Sequence, residues 1–357
     1  MTKILCLIEN LGSGGAERQL TGLAVMLKQH GYQVEVCYYV SREFYLPYLQ
    51  ENGVESCYLI EAANPKKRFF ALRKHIKAFK PDTVISYSTS PSMITCLLKL
   101  LRARFNLIVS ERNTTQQIGK VEKLRFFLYR WANHIVPNSH SQALFIDKYF
   151  PKLSSKVKVI TNFVDTEKFS PASEAMLEHE ETRMICVGRL MPQKNLLRFI
   201  EAIGKVVNDG YKIHVDWFGQ SLKDAYSEEC HSAIKIHNLE SVFVFQEPSS
   251  NIQEEYRRAD VFCLPSLYEG FPNVLCEAMS CGKPVLCSRV CDNPNIVSEG
   301  ENGCLFDPHS IEDMASTIER YLDLDAGKKK EMNTKSRKIA VDMFSKDSFI
   351  RKYIDIV

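Results

Sequence analysis

Short apolar runs separated by amphipathic stretches recur almost without a break along the chain. Runs bounded by Gly, Pro, Asn or Asp read as buried strands, and apolar positions recurring every three or four residues read as helices. Strands are expected at 3–8, 33–39, 56–60, 82–86, 106–110, 134–137 and 157–160. A second series follows near 183–187, 212–217, 242–245, 260–264, 284–287 and 303–306, with helices in the gaps. Alternating strands and helices predict parallel sheets covered on both faces, and two series predict two α/β domains. The periodicity breaks near residues 165–182, at Pro171, Ser173 and the acidic EHEE run. This sets a first domain of 1–170 and a second of 171–357, with the last helix free to pack back on the first.

A chain of 357 residues supplies two domains with a core each. With 45% apolar and 25% charged residues, disorder and fibrous structure are excluded as organising principles. No stretch reaches the roughly 18 apolar residues of a membrane span. Ile4 to Ile8 is a strand, too short for an export signal. The twelve cysteines contain no C-x2-C pair, and several fall within expected strands, among them 6, 37, 186, 263 and 287. Reduced, buried thiols in a cytosolic protein are therefore expected, in preference to disulfides or zinc.

Charge is nearly balanced overall, at +3, but residues 1–170 carry +11 and residues 171–357 carry −8. The basic half is expected to face something anionic. Lys66 to Lys80 holds seven Lys and Arg and no acid, with Phe69, Leu72, Ile76 and Phe79 at helical spacing. Leu97 to Phe105 and Lys120 to Trp131 are similar. Such segments are crossover helices first. Three of them in one domain also predict contact with an anionic membrane surface, through Lys66, Lys67, Arg68, Arg73 and Lys74. Basic residues interleaved with aliphatics, without a recognisable nucleic-acid motif, argue against nucleic acid as the partner.

The densest chemical pattern is VFCLPSLYEGFPNVLCEAMSCGKPVLC, residues 261–287: strand, loop, helix, strand. Glu269 lies in the loop and Glu277 one turn into the helix, and helical side chains lean back toward the N-terminus. Both carboxylates can face one crevice beside the first amides of the helix, those of Asn273, Val274 and Leu275. A helix N-terminus of this kind suits a phosphate, and carboxylates nearby suit hydroxyls. Val187 to Asn195, VGRLMPQKN, ends a strand at Gly188 and places Arg189 and Lys194 about a turn, where two cations can neutralise a diphosphate. After the first strand, NLGSGGAERQL opens a helix with glycines that let the backbone approach a phosphate; it is not the G-x-G-x-x-G pattern.

The string EGFPNVLCEAMSCGKPV resembles the E-x7-E signature of glycosyltransferase family 4, and GRLMPQK is similar to that family's G-R-x-x-x-x-K. Asn162 to Pro171 is similar to the family's connector into the second domain. The resemblance implies the GT-B fold, two Rossmann-like parallel-sheet domains facing across a cleft. It also implies a retaining, metal-independent transfer from a nucleotide-sugar, most readily a UDP-sugar, to a polyprenyl-diphosphate-linked saccharide. In that reading Arg189 and Lys194 hold the donor phosphates and Glu269 orients the sugar, making these three the catalytic set. Glu277 holds the ribose, and Gly14 and Gly15 approach the diphosphate from the first domain. S-E-R-N resembles strings in enzymes that build lipid-linked oligosaccharides, which leaves two readings open for Glu111, Arg112 and Asn113: an acceptor-side role or a local salt bridge. No cofactor and no metal are implied, and the only D-x-D string, at Asp323 and Asp325, reads as a solvated helix face. The implied location is cytoplasmic, at the inner face of a bacterial membrane.

The chain departs from the family pattern at Phe218-Gly219-Gln220-Ser221, at Gln246-Glu247-Pro248 and at Arg289 to Asn295. Ser86-Tyr87-Ser88 stands where many relatives carry a histidine. These differences leave donor base and sugar open. A sugar-nucleotide 2-epimerase of the same architecture, a non-catalytic binding partner of a synthesis complex, and a soluble glucosyltransferase remain as alternatives.

Overall fold

The computed structural model describes residues 1–60, 64–112, 114–115, 117–172 and 180–357. Two compact units are present: Met1–Phe163 with Lys346–Val357, and Val164–Ser345. The division falls a few residues before the break at 170, because Val164 and Phe169 are buried in the core of the second unit, with Phe262, Leu275 and Phe344. Part of the separating segment, 173–179, lies outside the described residues.

In the first unit the strands are β1 (Lys3–Leu7), β2 (Gln33–Tyr38), β3 (Glu55–Tyr58), β4 (Thr83–Tyr87), β5 (Asn106–Glu111) and β6 (His134–Pro137). They form a parallel sheet ordered β3-β2-β1-β4-β5-β6. In the second unit they are β7 (Thr182–Val187), β8 (Ile213–Phe218), β9 (Phe243–Gln246), β10 (Val261–Leu264), β11 (Val285–Ser288) and β12 (Gly303–Phe306), ordered β12-β11-β10-β7-β8-β9 and again parallel. Each sheet is a doubly wound Rossmann arrangement. Its strand order reverses once, between β1 and β4 in the first and between β7 and β10 in the second. Ligand crevices in such sheets lie at the carboxyl ends of the strands beside that reversal.

One expected strand is absent. Residues 157–160 make a single bridge, Val157 to Ile135, and two further backbone bonds to β6, Lys158 N to Ile135 O and Ile160 N to Pro137 O. Pro137 has no N–H with which to return a bond, so the ladder stops there.

The last helix, Lys346–Ile354, belongs to the first unit. Phe349, Ile350 and Tyr353 pack in one core with Ile4, Leu20, Leu23 and Phe163. The Tyr353 hydroxyl lies 2.9 Å from that of Tyr87, and Arg112 Nη2 donates to both at 2.7 Å. In the second unit β7 and β8 run so close at their carboxyl ends that a Cβ on Gly219 would stand 1.9 Å from the Gly188 carbonyl oxygen. Only glycine fits there, which gives a backbone reason for the glycine of the FGQS turn.

Candidate active site

The β7 and β10 loops leave neighbouring strands, registered by Met184 opposite Val261 and Ile185 opposite Phe262. They are tied to each other along their length. Leu267 N donates to Gln193 O at 2.9 Å, and Gln193 Nε2 donates to Tyr268 O at 2.8 Å. Asn195, in the left-handed region at φ 59°, turns the chain into the helix Leu196–Asn208. Its buried side-chain amide donates to Pro265 O at 3.2 Å and Pro308 O at 2.8 Å. From the other side Ser288 Oγ donates to Ser266 O at 2.6 Å.

Within this frame Lys194 Nζ meets Glu269 Oε1 at 2.6 Å, with side chains only 13% and 10% exposed. The lysine stem crosses the face of Gly188, where a Cβ would come within 2.9 Å of Lys194 Cε. The Gly188 carbonyl is fixed by Trp217 Nε1 at 2.7 Å. An ammonium carries three N–H donors, so one bonded to Glu269 retains two for an incoming oxyanion. Arg189 is exposed at the end of the strand. Glu277 is buried one turn into the helix Asn273–Ser280, and its Oε2 accepts from the Tyr256 hydroxyl at 3.4 Å. Gly282, at φ 76°, ends the segment after that helix.

The amides at this helix start differ from expectation. Asn273 N donates to Phe271 O at 2.9 Å and Leu275 N to Pro272 O at 3.1 Å, because the tight turn through Phe271 and Pro272 presents its carbonyls to them. Among the described residues Val274 alone of the three has no backbone acceptor. The 289–295 segment, where the sequence departs from the family, closes on the β10 loop: Glu269 N donates to Cys291 Sγ at 3.4 Å, and burial raises the Cys291 thiol pKa.

In the first unit Gly14 and Gly15 are exposed at the start of the helix Gly15–Gln29, after β1 and beside the strand reversal. The acceptor-side expectation fares differently. Glu111 is buried, held by the Tyr129 hydroxyl and by Arg125 Nη1 at 3.3 Å; burial raises its pKa against the pull of Arg125. Arg112 stacks on Tyr87 and donates to Asn162 Oδ1 at 2.8 Å besides the two tyrosines, so this pair is taken up by internal structure. Asn113 lies outside the described residues.

Lys66, Lys67, Arg73 and Lys74 are exposed on the helix Pro65–Phe79. Arg68 is not a surface cation of that set: it turns in over the Tyr39 ring, 4.4 Å from its centroid, and toward Glu9. The D-x-D carboxylates have local tasks. Asp323 accepts from the Tyr211 hydroxyl at 3.1 Å, and Asp325 caps the helix Ala326–Phe344 through Lys328 N at 2.8 Å. No helix among the described residues is long and apolar enough to cross a membrane.

Sequence reasoning passed over Asn195, Gln193, Trp217 and Tyr256, which hold the site without reaching into it. An asparagine directly before an apolar helix was the legible hint, since asparagine tolerates the left-handed region.

A family model described as "Glycosyltransferase Family 4" matches residues 13–168, and one described as "Glycosyl transferases group 1" matches residues 172–339. The chain belongs to glycosyltransferase family 4. This glycosyltransferase is 28% identical over 295 residues to the amylovoran biosynthesis glycosyltransferase AmsD of Erwinia amylovora, spanning 80% of each chain. It is 29% identical over 294 residues to a Campylobacter jejuni alpha-1,4-N-acetyl-D-galactosaminyltransferase named for a diNAcBac-PP-undecaprenol-linked saccharide, covering 78% of this chain and 77% of that one. Its fold matches HepE of Anabaena, solved in complex with UDP, with a TM-score of 0.86 at 18% identity over 99% of both chains. The two Rossmann-like units are those of the GT-B fold.

For this glycosyltransferase, Arg189→Ala is expected to lower turnover by about 10²- to 10³-fold, as loss of a charge-stabilising donor does, while leaving the melting midpoint unchanged. Lys194→Ala is expected to lose activity and about 3–5 kcal/mol of stability, because it removes one partner of a largely buried ion pair. Steady-state kinetics and thermal melts check both; full turnover in Arg189→Ala contradicts the assignment.

Proposed function

We propose that the protein transfers a sugar, with retention at the anomeric carbon, from a nucleoside-diphosphate sugar to a hydroxyl of a polyprenyl-diphosphate-linked saccharide in bacterial polysaccharide synthesis. A UDP-sugar is the expected donor. The observation that carries this reading is the Lys194–Glu269 pair on the β7 and β10 loops, beside the exposed Arg189. As the glycosidic bond breaks, negative charge grows on the departing diphosphate. Cations already fixed in place stabilise that charge without reorganisation. Arg189 and Lys194 fill this role here, with the Val274 amide as a further donor, so the reading requires no divalent ion. Glu269, steadied by Lys194, orients the sugar hydroxyls, and Glu277 accepts from the ribose. The UDP in the HepE complex and the undecaprenol-linked acceptor named for the Campylobacter enzyme support the choice of donor and acceptor classes.

Attachment to an anionic membrane surface at the cytoplasmic face completes the proposal. The helix Lys120–Leu128 supports it more strongly than the 65–79 helix does. Val121, Leu124 and Phe127 are 56%, 50% and 47% exposed on one side, beside Lys120, Lys123 and Arg130, also exposed. Apolar side chains flanked by lysine and arginine suit the headgroup boundary. Each nearby cation adds about 1 kcal/mol of attraction to an anionic leaflet.

Incubation with UDP-, GDP- and ADP-sugars and a polyprenyl-diphosphate saccharide is expected to release nucleotide only with the acceptor present, and to give a product of retained configuration by NMR. No release with any lipid-linked acceptor, or an epimer formed from donor alone, contradicts the reading. For the surface, Leu124→Glu with Phe127→Glu is expected to abolish co-sedimentation with anionic vesicles while preserving turnover on a detergent-dispersed acceptor. Unchanged sedimentation argues against membrane contact through this helix.

A further inference from the structure

The first unit holds a chemical cluster that the transfer reaction does not use. Alternation along β2 puts Glu35 and Cys37 on the same face of the sheet. Cys57 of β3 stands in register beside Cys37. The helix Pro65–Phe79 covers this face: Leu72 and Ile76 pack in one core with Cys37, Leu5 and Val84, and Cys57, Phe69 and Phe79 pack against it. From that helix His75 reaches down between the strands. Its Nδ1 lies 3.8 Å from Cys57 Sγ and its Nε2 lies 2.9 Å from Glu35 Oε2. One donor atom from each of Glu35, Cys37, Cys57 and His75 falls within 4.8 Å of all the others.

Packing alone gives no reason for this set. The surrounding core is aliphatic and aromatic, and two thiols, an imidazole and a carboxylate converge on one point within it. All twelve cysteines of the chain are free thiols, and of the β2–β3 pair Cys37 is buried while Cys57 keeps partial access to solvent.

The spacing is close to that of a zinc site. Bonds of about 2.3 Å to sulfur and 2.0–2.1 Å to nitrogen put the corners of a tetrahedral site roughly 3.3–3.8 Å apart. The Cys57 to His75 distance already has this value, and the widest separation in the cluster needs only a small inward turn of a side chain. The histidine is also held as metal-bound imidazoles are, by one nitrogen on a carboxylate so that the other is free to ligate.

We propose that Cys37 Sγ, Cys57 Sγ and His75 Nδ1 bind one zinc ion, with Glu35 orienting the imidazole through its other nitrogen and water in the fourth position. Binding releases the two thiol protons to solvent and moves no electrons; the two thiolates neutralise the ion. The ion joins the short edge strand β3 to β2 and to the basic helix Pro65–Phe79. Its role is structural, fixing that helix on the sheet. The donor-site loops belong to the other unit, so the metal takes no part in the proposed transfer, and its fate and that of the transferase reading are separately testable.

The full chain, purified under reducing conditions without chelator and given stoichiometric zinc before desalting, is expected to carry one zinc per chain by elemental analysis. Cobalt in place of zinc should give thiolate charge-transfer absorption in the near ultraviolet and the visible bands of a tetrahedral ion. Cys57→Ser should lose both, Glu35→Gln should weaken zinc affinity about 10- to 100-fold, and Cys304→Ser in the second unit should change neither. Removal of the metal should lower the melting midpoint of the wild type and leave that of Cys57→Ser unmoved. Wild-type protein that retains no zinc and shows no cobalt–thiolate band, or zinc kept equally by Cys57→Ser, overturns the proposal.

Discussion

One buried ion pair, Lys194 with Glu269, joins the two loops of the second unit on which the proposed chemistry rests. Its two residues come from loops that are far apart in sequence and adjacent in space, because β7 and β10 pair at the point where the strand order reverses. Each loop is held to the other by the Gln193 contacts and by the Asn195 amide, so the charges are positioned before any ligand arrives. Such an arrangement costs desolvation of both groups, which their mutual attraction offsets only when the geometry is good. The 2.6 Å contact meets that condition. The glycines follow from it: Gly188 leaves room for the lysine stem, and Gly219 lets β8 close against the carbonyl that Trp217 holds.

The first unit spends its polar groups differently. Arg112 and Glu111, adjacent in sequence at the end of β5, point into separate buried networks. Arg112 secures the returning helix Lys346–Ile354 through Tyr353, and Glu111 is enclosed by Arg125 and Tyr129. Their sequence context left acceptor contact and a local salt bridge both open, and the structure shows each engaged within its own unit. What this unit offers outward is the glycine turn at Gly14 and Gly15, and the apolar and basic face of the helix Lys120–Leu128.

Much of this was legible in the sequence, where local pattern and tertiary structure agree. Strand runs such as 261–264 are buried on both faces of a parallel sheet and so read as continuous apolar segments. The eight-residue spacing of Glu269 and Glu277 survives translation into a loop and a helix turn, since both lie within one βα unit. Features set by distant partners were not legible. Residues 157–160 have the composition of a strand, but Pro137 on the neighbouring strand ends the pairing. Arg68 sits in a basic run and yet turns inward, because Tyr39 and Glu9 lie beneath it. The amides of Asn273 and Leu275 stand at a helix start and so read as available, but the carbonyls of Phe271 and Pro272 accept from them. The convergence of Cys37, Cys57 and His75 depends on strand register and helix placement, which spacing along the chain does not encode.

If the loops of β7 and β10 form a preorganised cationic seat for a diphosphate, a structure of the protein with a bound nucleoside-diphosphate sugar will place diphosphate oxygens within hydrogen-bonding distance of both the Arg189 guanidinium and Lys194 Nζ. Sugar hydroxyls are then expected on Glu269. A diphosphate bound without contact to either cation rules the seat out.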